Sequence, residues 1–299
     1  MRQPSIQCLP LLSLLLLITL TSGKYRDDQP IEQYLALANQ AEYDCVGQVL
    51  VSDSGQWEPD GSFVLIDSLH ILSAAHCFTM PIKKDTVINY QGQKLLTYVE
   101  LGRRQRDKQD FAFLVHNTIL KARKIVLHPD YLQDGNCDLA IITLEAPLSH
   151  TPTLPLNKEQ HELRDTVTGV GFGLSGPGNK PDLVGMYNVK LAGQNIIDSI
   201  GGIVVNGTGS MLFSDFDAPD GDTKYNKCGS RLPLPLEYCI SSGDSGGPAF
   251  ISRKGTLYLA GIAVYEGKTL DMMKNGYYGE LMGWLRISAF YNWIAEQLK

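Results

Sequence analysis

The sequence predicts an all-β chain closed by one short helix, and three observations predict it. From Val46 onward, short runs rich in Val, Ile, Leu and Tyr alternate with polar or Gly/Pro turns. No long stretch between them carries a helical apolar period. Only Phe290 to Leu298 does so clearly, with Phe290, Tyr291, Ile294 and Leu298 toward one side. The length of 299 residues also suffices for two packed halves. Evenly spaced short strands of this kind indicate a barrel or a sandwich.

Residues 1–23 read as an export signal. Met1-Arg2 carries a positive charge, Leu9 to Leu20 is apolar but short for a membrane span, and Thr21-Ser22-Gly23 are the small residues a signal peptidase prefers. Residues 24–44 are polar and acidic, with Ile31, Tyr34, Leu35, Leu37 and Ala38 at loosely helical spacing. They are expected to form a short surface helix packed on the domain, or alternatively a pro-segment. The first set of strands is predicted at Val46–Val51, Phe63–Ile66, His70–Ser73, Leu95–Leu101, Phe111–His116, Lys124–Leu127 and Leu139–Leu144. Glu145 to Asp165, rich in Pro and Thr, reads as a connection. A second set follows at Thr166–Gly173, Met186–Leu191, Ser210–Phe213, Pro248–Ile251, Leu257–Val264 and Trp284–Ile287.

The net charge of −6 is mild, and no basic patch argues for nucleic acid. Nothing beyond residue 23 is long and apolar enough to cross a membrane. Five cysteines remain after the leader: Cys45, Cys77, Cys137, Cys228 and Cys239. Export favours disulfides, but an odd count leaves at least one thiol unpaired within the chain. With no Cys-x-x-Cys and no histidine cluster, neither a metal nor any other cofactor is expected. Asn206-Gly207-Thr208 is a glycosylation sequon.

The chemistry concentrates in Gly243-Asp244-Ser245-Gly246-Gly247-Pro248. Its glycines allow backbone conformations that crowd main-chain N–H groups around one hydroxyl. A serine hydroxyl needs an adjacent base to act as a nucleophile. Leu72-Ser73-Ala74-Ala75-His76-Cys77 offers an imidazole, and Asp138-Leu139-Ala140-Ile141-Ile142 offers a carboxylate. In this order and with these flanks, the chain resembles the chymotrypsin/trypsin family of serine proteases. The resemblance runs from about Val46 to the C-terminus, with His128-Pro129-Asp130-Tyr131 and Gly171-Phe172-Gly173 as further markers. It implies two six-stranded antiparallel β-barrels with a C-terminal helix, forming a protease domain over residues 45–299. It also implies Ser245 as nucleophile, His76 as general base and acid, Asp138 as its orienting carboxylate, and the N–H groups of Gly243 and Ser245 as oxyanion hole.

Four departures from the family pattern stand out. No basic residue precedes an Ile-Val-Gly-Gly type sequence, whose freed amine would pair with the Asp before the nucleophile, here Asp244. Unless another group satisfies it, Asp244 is a buried carboxylate without a counter-charge. Cys77 holds a half-cystine position, but its usual partner is replaced near Gly61 and no cysteine follows Ser245; Cys228 and Cys239 are close enough to close a small loop and are expected to pair. The specificity pocket, lined by Cys239, Ile240, Val264, Tyr265 and Glu266, lacks the Asp six residues before the nucleophile that binds Arg or Lys. Finally, Val264 replaces a serine that would donate to Asp138. The expected function is a secreted, extracellular serine endopeptidase acting on protein or peptide substrates, with a protein inhibitor or activator as a further partner. The alternative is a non-catalytic or latent homologue that binds or regulates.

Overall fold

Local sequence accounts for most strands. The computed structural model describes residues 24–53, 55–90, 93–149, 154–179, 188–267 and 277–299. The leader over 1–23 and the start of the strand expected at Met186–Leu191 lie outside them. The first half comprises α1 (Ile31–Ala38), β1 (Val46–Asp53), β2 (Gln56–Leu65), β3 (His70–Ser73), β4 (Thr79–Tyr90), β5 (Gln93–Gln105), β6 (Phe111–Val115), β7 (Thr118–Leu120), β8 (Ala122–Leu127), α2 (Tyr131–Asp134) and β9 (Ala140–Leu144). The second comprises β10 (Thr166–Gly171), β11 (Leu191–Ile196), β12 (Ser199–Val205), β13 (Thr208–Asp215), β14 (Pro248–Arg253), β15 (Thr256–Gly267), β16 (Leu281–Arg286) and α3 (Ile287–Gln297).

The strands form two antiparallel sheets, ordered β7-β6-β1-β2-β3-β9-β8 and β11-β10-β14-β15-β16-β13-β12. The all-β architecture with a closing helix is the one the sequence predicts, with seven strands in each sheet where six are expected. Among the described residues β4 and β5 pair only with each other, as a long arm. Sequence reading finds half of this arm and misses β4. Lys83, Lys84 and Asp85 break its apolar pattern because both faces of the arm are largely exposed.

Burial explains the register. Phe63, Phe78, Phe111 and Phe113 fill the first half, with Phe78 and Phe111 edge to face at 4.9 Å; each such buried ring contributes roughly 1.5–3 kcal/mol. Tyr238, Met282, Trp284 and Phe216 fill the second. Helix α3 lays Phe290 and Ile294 against the first core. A buried ion pair, Arg286 to Glu162 at 2.5 Å, ties the 154–165 connection to the end of β16. No helix among the described residues is long and apolar enough to cross a membrane.

Candidate active site

Strand pairing brings the imidazole and the first carboxylate together. β3 and β9 are neighbours, with Ser73 opposite Ala140. His76 sits in a 3₁₀ turn (Ala75–Phe78) just past the end of β3, and Asp138 lies just before β9. The two therefore meet at one end of the sheet. Asp138 accepts from the His76 backbone N–H at 2.8 Å and engages its ring Nδ1 at 2.6 Å. An ionised carboxylate only accepts, so Nδ1 carries a proton, and Nε2 is the ring nitrogen at which the imidazole gains or loses its second one. Burial works against charge on His76, yet the Cys77 sulfur and the Asp138 carboxylate outweigh it and hold the imidazolium well above the usual histidine range.

Ser245 arrives from the second half, in the turn before β14. Gly243 and Gly246 have φ of +94° and +84°, the left-handed region that favours glycine. Sheet one holds this turn through Ser62 of β2. The Ser62 N–H donates to Ser245 O at 2.8 Å, and its hydroxyl donates to Gly243 O at 2.9 Å. Cys77 Sγ lies 3.8 Å from Ser245 O, so the serine backbone abuts the residue next to His76. Among the described residues no hydrogen bond joins the Ser245 hydroxyl to the imidazole; such bonds are often long in unliganded sites. Asp244 points the other way, inward. Its Oδ1 accepts from the Gly173 N–H at 2.9 Å and from Lys24 Nζ at 2.5 Å, and its Oδ2 accepts from the Ser241 N–H at 2.9 Å. Asp244 is thus paired. Sequence reading left that partner open, because nothing local to either residue links positions 220 apart.

A family model described as Trypsin matches residues 42–223. The chain belongs to the trypsin family. A protein named "Serine protease SSP1" from Scolopendra subspinipes is 26% identical over 242 residues, which cover 79% of this chain and 72% of that one. "Vitamin K-dependent protein C" from Oryctolagus cuniculus is 26% identical over 268 residues, covering 84% of this chain; the match spans about half, 49%, of that relative.

The residues expected to line the specificity pocket differ in exposure. Cys239 and Ile240 are 0% and 3% exposed, and Met282, which faces Glu266 across β15–β16, is 0% exposed. These side chains belong to the second core. The Cys239 thiol is held well above its usual range by burial, then by the carboxylates of Glu280 and Glu266. Glu266 thus lies near Cys239, while Tyr265 is exposed and Val264 half-buried. A groove of about 310 Å³ runs beside Asp138, lined by Asn136, Cys137, Ile203, Met211, Val264 and Tyr265 among others. A larger cavity, about 610 Å³ and lined by Asn157, Lys158, Arg253 and Tyr258, shares no residue with this site.

The disulfide expected between Cys228 and Cys239 is absent. All five cysteines of the described residues are free. Cys228 sits half-exposed with its N–H on Asp215 Oδ2 at 2.9 Å, whereas Cys239 is sealed in the core with its N–H on Lys24 O at 3.0 Å. The two thiols occupy different surroundings despite their closeness in sequence. Cys77 faces the Gly61 backbone; a Cβ built at Gly61 would lie 3.9 Å from the Cys77 Cβ. His128, Asp130 and Cys137 bring one ligand atom each within 4.8 Å of one another beside Asp138. Burial and then Asp130 push the Cys137 thiol up to about 11, so it stays protonated and donates to Asp130 at 3.9 Å. At the sequon, Asn206 and Gly207 have φ of +49° and +79°, a two-residue hairpin turn that itself accounts for the Asn-Gly pair.

Proposed function

We propose that the protein is a secreted serine endopeptidase that cleaves peptide bonds through an acyl-enzyme. The observation that supports this best is the grip of Asp138 on His76 through both the backbone and the ring, which leaves Nε2 as the base. The steps are those of the family's own template. Ser245 Oγ bonds to the scissile carbonyl carbon while His76 Nε2 takes its proton. The resulting oxyanion accepts from the N–H groups of Gly243 and Ser245. Collapse breaks the C–N bond as His76 returns the proton to the leaving amine, and water repeats the cycle to free the acid. Asp138 stabilises the imidazolium formed in between. With Cys239, Ile240 and Met282 packed solid, selection of a long basic side chain is not expected. The groove beside Asp138 and Tyr265 is proposed to read neighbouring substrate residues instead. Export rests on the leader-like 1–23 stretch, and predicts a mature chain beginning at Lys24.

The test is digestion of a mixed peptide library by protein lacking residues 1–23, beside Ser245→Ala. Cuts present only with Ser245, and a serine-reactive phosphonate attached to Ser245, are the expected results. Hydrolysis that survives Ser245→Ala overturns the assignment. A wild-type protein that neither cuts nor labels returns the chain to the non-catalytic reading.

A further inference from the structure

Asp244 precedes the nucleophile and separates the two N–H groups assigned to the oxyanion hole, so whatever fixes its carboxylate fixes that loop. The carboxylate is 4% exposed as a side chain, and the only cation on it among the described residues is the Lys24 ammonium, 2.5 Å away with a side chain 1% exposed. Lys24 is itself stitched in on both sides. Its backbone N–H donates to Gly176 O at 2.8 Å, and its carbonyl accepts from the Cys239 N–H at 3.0 Å. The next residues continue the seam: Tyr25 O accepts from the Gly178 N–H at 2.9 Å, and Arg26 Nη1 donates to Leu234 O at 2.7 Å. Downstream, the Tyr34 hydroxyl of α1 donates to Glu237 O at 2.9 Å.

We infer that the Lys24 side chain is the positioning residue that locks the Ser245 loop, so that the site is assembled without a newly cut chain end. This rests on the active-site reading above. The counter-charge is carried by a side chain, whose ammonium exists whether or not residues precede Lys24. A freed α-amine, the device the family resemblance implies, is a backbone group; the Lys24 nitrogen of that kind is directed to Gly176 O and not to Asp244. Removing one partner of a buried ion pair strands the other charge. Loss of the ammonium should therefore release Asp244 from its inward position and carry Gly243 and Ser245 with it.

The experiment compares three forms by their rate of labelling with a fluorophosphonate: the chain starting at Lys24, the same chain with an uncleavable extension ahead of Lys24, and Lys24→Met. The extended form should label within about twofold of the first, and Lys24→Met should fall on the order of 10²–10³, the range for a lost oxyanion donor. Lys24→Ala should then regain at least tenfold with n-propylammonium but not with n-propanol, a charge-specific rescue that a packing defect would not show. Loss of labelling on extension would assign the role to the α-amine and overturn the inference, as would normal labelling of Lys24→Met. If no form labels, the active-site reading fails, and amide exchange decides the inference separately. Faster exchange over 170–175 and 240–247 in Lys24→Met, with the β14 and β15 amides unchanged, supports the lock; unchanged exchange there overturns it. Should Lys24→Met not fold, the double variant Lys24→Met/Asp244→Asn, which strands no charge, must fold if the pair is what the inference describes, and its failure to do so counts against it.

Discussion

Asp138 directs both oxygens at His76, and that arrangement bears on the base proposed above. Because the imidazolium is held well above the usual histidine range, the neutral form that can accept a proton appears only at higher pH. The profile of kcat/KM should therefore rise with a midpoint clearly above about 6.5, the ordinary histidine value. Asp138→Asn should move that midpoint down and cost on the order of 10⁴ in kcat, the loss this substitution brings to the family's template. A midpoint that stays put would show that Asp138 is not what raises it. Gly61 offers a second test. A Cβ there would lie 3.9 Å from the Cys77 Cβ, within the span of a disulfide, although 2.9 Å from Ser245 O the backbone must yield slightly. Gly61→Cys is predicted to pair with Cys77 in air, so that thiol titration of the unfolded protein counts two fewer than its cysteines. A loop of about this length should add about 3 kcal/mol, read from urea unfolding with and without reductant. The pairing of His76 with Asp138 was legible because each residue carries its own flanking motif. Lys24 was not, since a single lysine beside a leader has no local signature and its meaning comes from a contact across the whole chain.

Elements were legible where one face is buried and illegible where neither is. β6, β9 and β14 are runs of buried residues and read directly as strands. The β4–β5 arm leaves Val87, Leu96, Tyr98 and Leu101 exposed, so its sequence obeys no inward-outward rule and half of it passed as loop. Register carries similar weight in β16, where Met282 lies one residue from Gly283 and a shift of one position turns every side chain to the other face. The register places Glu266 opposite Met282, which is 0% exposed. The connection between halves is likewise structural and not slack. Glu162 accepts from Arg286 Nη2 at 2.5 Å, from the Ser288 hydroxyl at 2.6 Å and from Asn157 Nδ2 at 2.9 Å, all buried. Glu162→Ala would strand the Arg286 guanidinium at 1% exposure. It should destabilise by about 3–5 kcal/mol in urea unfolding, whereas replacing both Glu162 and Arg286 by apolar residues should cost far less. Equal losses from the single and double changes would mean the pair is not acting as a unit.

At the scale of the molecule, two apolar cores hold the fold with no disulfide among the described residues, and the second core encloses acids that would elsewhere be ionised. Burial, then Asp215 and Asp198, push the Asp217 carboxyl up to about 8; burial pushes that of Glu237 up to about 9. Their ordinary values are 3.8 and 4.5, so between these limits the folded state holds protons that the unfolded chain releases. The sign follows from linkage: stability is fully present below the ordinary values and is lost as pH rises through the raised ones. His76, also raised, acts in the same direction above about 6.5. Asp28, held low by Arg26, opposes this only in acid, below its ordinary 3.8. The protein should therefore melt at a higher temperature at pH 5 than at pH 8, the reverse of a fold stabilised mainly by ionised carboxylates. A tenfold difference in proton affinity is about 1.4 kcal/mol, which for a chain of this size is a few degrees, about 2–4 °C per kcal/mol. Asp217→Asn combined with Glu237→Gln removes both protons from the balance while keeping shape, and should flatten the dependence by raising the pH 8 melting temperature toward the pH 5 value. Calorimetry of the two proteins at both pH values is the check. A wild type that melts higher at pH 8, or a double variant with an undiminished slope, would show that these acids are ionised in the folded protein.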